Sequence, residues 1–177
     1  KGITKESSYK KIPVMTASGR TINDSSVIVH QLLAACGGDA FDKERQEEIT
    51  FGLQPAIEVD VLACAADFKK IALKAGFPVW CVPEFVLGGL MGEKISESIK
   101  AKNPDMKPSL DYGKAFKAQF PDTTFHGGDD PDQVDISYYG TVAPFHVGEG
   151  CVVEAHLADA GLAAWYEEML GIMPIVD

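Results

Sequence analysis

Two short stretches near the N-terminus hold residues that could recognise a small ligand. Asp24-Ser25-Ser26 opens an apolar segment and has the composition of a helix N-terminus. Serine hydroxyls and free backbone N–H groups at the positive end of a helix make a cradle for a carboxylate. Asp24 beside them could hold an ammonium group, so the cluster suits a ligand with an amine and a carboxylate on one carbon. Read alone, it is an ordinary N-cap. The second stretch is Ile12-Pro13. A proline at the head of a short strand is commonly an edge residue. X-Pro is also the one linkage where a cis peptide is cheap, and there the preceding backbone can face a ligand.

The other reactive side chains read more plainly. Cys36, Cys64, Cys81 and Cys151 form no CxxC and match no zinc spacing. Each is expected as a buried thiol on an apolar helix face or at a helix end. His126 and His146 stand isolated, and a lone histidine is more often a hydrogen-bonded structural residue than a ligand. The pairs Tyr138-Tyr139 and Trp165-Tyr166 are expected in the core and at its edge, and Glu167-Glu168 on a solvated face. Gly88-Gly89 with Gly92 is expected to be a small-residue face for close helix packing, since a phosphate loop needs a different context.

The elements that must position these residues follow from periodicity. Ile12, Val14 and Met15 form a short strand, Ser18-Gly19-Arg20 a turn, and Thr21-Ile22 a second strand. A helix from about Asp24 to Cys36 carries Val27, Ile28, Leu32 and Leu33 at helical spacing and ends at Gly37-Gly38. Residues 39–50 are strongly charged and read as an exposed linker. Beyond them the pattern is helical over 54–75, 83–101, 109–119, 132–143 and 157–170. Phe77 to Met91, the longest apolar region, is expected as a buried helix with its lead-in loop. Asp132-Gln133-Val134-Asp135 resembles a capping box, an Asp N-cap with an acidic side chain three residues on. Three domain assignments follow: residues 1–38 a ligand-site segment, 39–50 a linker, and 51–177 an all-helical domain.

Composition narrows the partners. The 177 residues are 46% hydrophobic and 24% charged, which is ordinary for a globular chain. A formal net charge of -10 argues against nucleic acid, whose binding needs clustered Lys and Arg. No apolar run approaches the length of a transmembrane helix.

Taken together, a proline-headed strand, a turn, a strand, an acid-Ser pair and a helix, followed by an all-helical segment, resemble the glutathione transferase family. Gly127-Gly128 through Gly140 is similar to that family's buried capping-box helix, with Asp132 where Ser or Thr is usual. The resemblance implies an α/β plus all-α fold: a partial thioredoxin-like β-hairpin and helix, then a glutathione-transferase-like helical domain. It implies that Pro13 is cis, that the Ile12 backbone clamps the cysteinyl part of glutathione, and that Asp24 with Ser25 holds the γ-glutamyl end. Glutathione, or a similar small thiol, is the implied ligand.

The same resemblance implies a strand–helix–strand ahead of Lys11 whose helix carries the catalytic residue. Residues 1–10 are too short to hold it. The expectation is a glutathione-dependent isomerase or transferase with its catalytic residue upstream of Lys1, or else a non-catalytic structural or binding subunit of an organellar assembly. A two-stranded hairpin with one helix is a poor sheet by itself. Its open edge calls for a cover, supplied by a protein partner or by an N-terminal segment of the chain itself. The compartment stays open between organelle and cytoplasm, with membrane association through a partner or an upstream segment.

Overall fold

The computed structural model describes residues 14–17, 20–23, 48–77, 79–84 and 86–174. The chain divides into two compact units, Lys1–Lys43 and Glu44–Asp177, and the division falls within the charged stretch.

In the first unit, β1 (Val14–Ala17) and β2 (Arg20–Asn23) pair antiparallel, with Val14 opposite Asn23 and Ala17 opposite Arg20. The helix expected from Asp24 to Cys36 lies outside the described residues, as does Cys36 itself.

The described part of the second unit is helical. A π-helical turn (Ile49–Leu53) runs directly into α1 (Gln54–Ala63), whose second residue is Pro55. Then come α2 (Ala65–Lys74), a π-helical segment (Val86–Gly92) that runs into α3 (Glu93–Lys102), and α4 (Ser109–Lys117). The last three are α5 (Gln133–Val142), α6 (Val152–Asp159) and α7 (Ala163–Ile172). The core gathers Leu53, Ile57 and Val61 from the start of the unit with aromatic residues of α4, α5 and α7. Phe116 stacks on Tyr138 at 4.2 Å between ring centroids, and Trp165 stands edge-on to both, at 5.4 and 5.5 Å. Offset and edge-on contacts of this kind add to area burial. Both members of Tyr138-Tyr139 and of Trp165-Tyr166 are buried, and Glu167-Glu168 is exposed, as expected.

Four expectations are corrected. The helix over 54–75 is two helices, because Cys64 takes an extended conformation (φ −93°, ψ 98°) between α1 and α2. The helix over 157–170 is likewise two, because Gly161 turns at φ +73° between α6 and α7. A glycine reaches that left-handed region without a Cβ clash.

Phe77 to Met91 holds a loop and then a helical segment, as expected, but much of it is exposed. Phe77 is 63% exposed and Trp80 74%, and among the described residues of the stretch Leu87 is the buried hydrophobic one. In the π-helical segment each turn holds an extra residue, so a face read at a period of 3.6 drifts out of phase. Met91, expected in that buried helix, is exposed, as is Ile95, and Ser96 is the buried residue of α3.

The cysteines also differ: Cys151 is buried, Cys64 half-buried and Cys81 exposed. The small-residue face holds at two of its three glycines. A Cβ on Gly88 would lie 2.6 Å from that of Ala65, one on Gly92 would strike the Leu62 carbonyl oxygen, and one on Gly89 would meet nothing.

Candidate functional site

Ile12, Pro13, Asp24 and Ser25 lie outside the described residues. What the structure gives is the pairing beside them. Val14, which follows Pro13 in the sequence, is the partner of Asn23, which precedes Asp24.

In the second unit the polar groups converge at the N-terminus of α5. The Asp132 carboxylate accepts the Val134 and Asp135 N–H groups at 2.8 and 3.1 Å, and Asp135 returns a bond from the Asp132 N–H at 3.0 Å. This is the reciprocal capping box the spacing predicted. Asp135 does more than cap. It is fully buried, and it also accepts the His126 N–H (3.0 Å), the Gly127 N–H (3.1 Å) and the Trp165 indole N–H (2.8 Å). A buried carboxylate with four N–H donors is solvated by the fold in place of water.

His126 is therefore not isolated. Its Nδ1 lies 2.6 Å from Asp132 Oδ2. Burial alone would raise the Asp132 carboxyl, but the bond to His126 and the backbone N–H groups outweigh it and hold the group below its ordinary value.

His126, Asp132 and Asp135 offer three ligand atoms within 4.8 Å of one another. The donor set does not suit a cation. Both Asp135 oxygens already point at N–H groups, and Asp132 divides its oxygens between the helix N-terminus and His126. A metal placed there would face hydrogens where lone pairs are needed. The corner is a folding device.

A second polar pair lies deeper. Tyr138 Oη and His156 Nε2 are 2.9 Å apart, and His156 Nδ1 has no partner. Burial lowers the His156 pKa against the opposing pull of Asp60 and Asp159, and it pushes the Tyr138 hydroxyl far above the usual tyrosine range. Burial and the neighbouring Tyr139 take Tyr166 up to about 12. A Tyr–His pair can move a proton, but both side chains of this one are buried. The cavity that Tyr138 lines has a volume of about 20 Å³, roughly enough for one water.

Asp67 is buried as well and accepts the Val152 N–H at 2.7 Å, tying α2 to the start of α6 across 85 residues. Sequence reasoning missed His156, Asp67 and the bond from Trp165 to Asp135. No local spacing links partners 18, 85 or 30 residues apart. Among the described residues, no helix is long and apolar enough to cross a membrane. In comparisons with known proteins, no family model and no curated protein matches the chain.

Proposed function

We propose that the chain is a glutathione-transferase-fold protein with a residual glutathione half-site, in which Asp24 and Ser25 hold the γ-glutamyl end and the Ile12 backbone, ahead of Pro13, clamps the cysteinyl part. Within that family it resembles membrane-associated prostaglandin E synthase type 2, through Ser8-Tyr9-Lys10-Lys11-Ile12-Pro13-Val14, Ile22-Asn23-Asp24-Ser25-Ser26-Val27-Ile28 and the Gly127 to Gly140 segment. The observation that carries the reading is the register of the hairpin. Val14 and Asn23, the chain neighbours of Pro13 and Asp24, are paired. A backbone clamp and a γ-glutamyl pocket that serve one ligand need such a common strand end. The capped helix at Asp132–Asp135 adds support, since the family carries a buried capping box in its helical domain.

The half-site holds a ligand and contains no nucleophile. In this reading the helix N-terminus and the Ser25 hydroxyl take the glutamyl carboxylate, and Asp24 takes the ammonium group. Calorimetry with glutathione is expected to give saturable heat with a Kd of about 1 mM or tighter, near the weak end of specific binding. Asp24→Ala is expected to weaken it about tenfold, the loss of one charge-assisted contact. Absence of heat at that concentration would end the glutathione reading.

The exposed rings of Phe77 and Trp80 favour a second reading, a non-catalytic structural or binding subunit of an organellar assembly. In that case the double variant Phe77→Ser, Trp80→Ser should leave a native complex at smaller size on gel filtration, with glutathione binding unchanged.

A further inference from the structure

The second unit holds an open groove of about 420 Å³, within the ~300–1,000 Å³ range of small-molecule sites. One wall is the π-helical turn ahead of α1, with Phe51 and Gly52, and the other is the 102–107 loop between α3 and α4, with Met106. Tyr112 of α4 and Glu48 also line it.

Phe51 is 67% exposed. A lone exposed ring is unexceptional, but this one shares a concave surface with a second ring and a thioether. Both suit an aromatic guest, through ring stacking and sulfur–ring contact.

Three features hold the groove in shape. A Cβ on Gly52 would lie 2.6 Å from the Tyr112 ring, so the missing side chain is what lets that ring sit against the turn. The Lys107 backbone N–H donates to Tyr112 Oη at 3.3 Å and ties the loop to α4. The Asn103 side-chain amide donates to the Ile99 carbonyl at 2.9 Å and anchors the loop on the end of α3. A π-helical turn beside a concave surface is itself a frequent mark of a binding site.

The charges of the lining decide the ligand class. Lys102 and Lys107 are balanced by Glu48 and Asp105, so the groove carries no net charge, although the whole chain is at -10. We propose that this groove binds a flat, uncharged aromatic molecule that carries a hydrogen-bonding group. Its ring lies against Phe51 and Met106, and its polar group sits among the charged residues and Asn103. The site belongs wholly to the second unit and does not depend on the glutathione reading.

The probe is 2-naphthol, uncharged at neutral pH, titrated into the full chain and followed by amide chemical shifts. Saturable shifts are expected in residues 48–53 and 102–107, with nuclear Overhauser contacts from the naphthol ring to the Met106 methyl. Phe51→Ala, which changes an exposed side chain, should leave the thermal midpoint in place and weaken binding about fivefold or more, the worth of one aromatic contact. The anion 2-naphthalenesulfonate should bind more weakly than 2-naphthol. The proposal is overturned if the shifts centre on Phe77 and Trp80, if Phe51→Ala binds as the parent does, if no Met106 contact appears, or if the sulfonate binds as tightly as the naphthol.

Discussion

The indole N–H of Trp165 donates to Asp135 Oδ1 at 2.8 Å, and that bond fastens α7 to the N-terminus of α5. The same carboxylate holds the His126 and Gly127 N–H groups of the preceding loop and the N–H of its own cap residue. One buried side chain thus joins a loop, a helix start and a helix thirty residues further on. A carboxylate suits this place because it only accepts, and all four groups around it donate.

Asp135→Ala should destabilise the second unit by about 3 kcal/mol or more, since four N–H groups lose a charged acceptor in a buried site. Asp135→Asn should be nearly as costly, because its amide sets a donor against donors. Trp165→Phe, which leaves three of the bonds, should cost about 1.5–3 kcal/mol. Urea unfolding of the two single variants and the Asp135→Ala, Trp165→Phe double variant gives the coupling. Strict additivity would show that the bond at 2.8 Å contributes nothing of its own.

What could be read from the sequence was local. The capping box at Asp132 and Asp135 was visible because both partners lie within one helical turn, at the spacing the backbone requires. Asp135's larger role was not, because its other partners are brought in by the packing of α5 against a loop and α7. Apolar periodicity identified helices but ran across two breaks. Gly161 at least is a residue type that permits a turn, whereas nothing about Cys64 announces an extended residue. Periodicity also says which side chains are apolar, not which are covered. The Phe77 to Met91 region therefore read as buried, yet Phe77, Trp80 and Met91 are exposed. Ile12, Pro13, Asp24 and Ser25 are ordinary edge and cap residues when read alone and become a proposed ligand site through a resemblance, and the paired Val14 and Asn23 beside them are what the structure adds.

Stability should depend on pH through His156. Its folded-state pKa is lowered from 6.5 by burial, with Asp60 of α1 and Asp159 of α6 pulling the other way and the Tyr138 hydroxyl as its bonded neighbour. Between the folded value and the unfolded value of about 6.5, the unfolded chain binds the extra proton, so stability rises with pH in that window. It should be full above about pH 6.5, fall as the pH drops through that value, and level off below the folded pKa. Asp132 acts lower. Its carboxyl is held below 3.8, so its contribution is kept until the pH falls beneath that value and is then lost. Thermal midpoints measured from pH 7.5 to 5 should show the first slope, and His156→Gln, which keeps a partner for Tyr138 and does not titrate, should flatten it. An unchanged slope in that variant would remove His156 from the account.

The glycines ahead of α3 give opposite predictions for one substitution. Gly92 lies where a Cβ would strike the Leu62 carbonyl oxygen, and a backbone oxygen cannot swing aside as a side chain does. Gly92→Ala must therefore push α3 away from the end of α1, at a cost of about 1–3 kcal/mol. Gly89 is three residues earlier, exposed, with nothing within 4 Å of its ideal Cβ. Gly89→Ala adds no clash and removes conformational freedom from the unfolded chain, so it should stabilise by roughly 0.4–1 kcal/mol. Urea midpoints for the two variants, at an unchanged slope, should move to opposite sides of the parent. Midpoints displaced in the same direction would mean that close approach of α1 and α3 at Leu62 and Gly92 is not what requires the glycine.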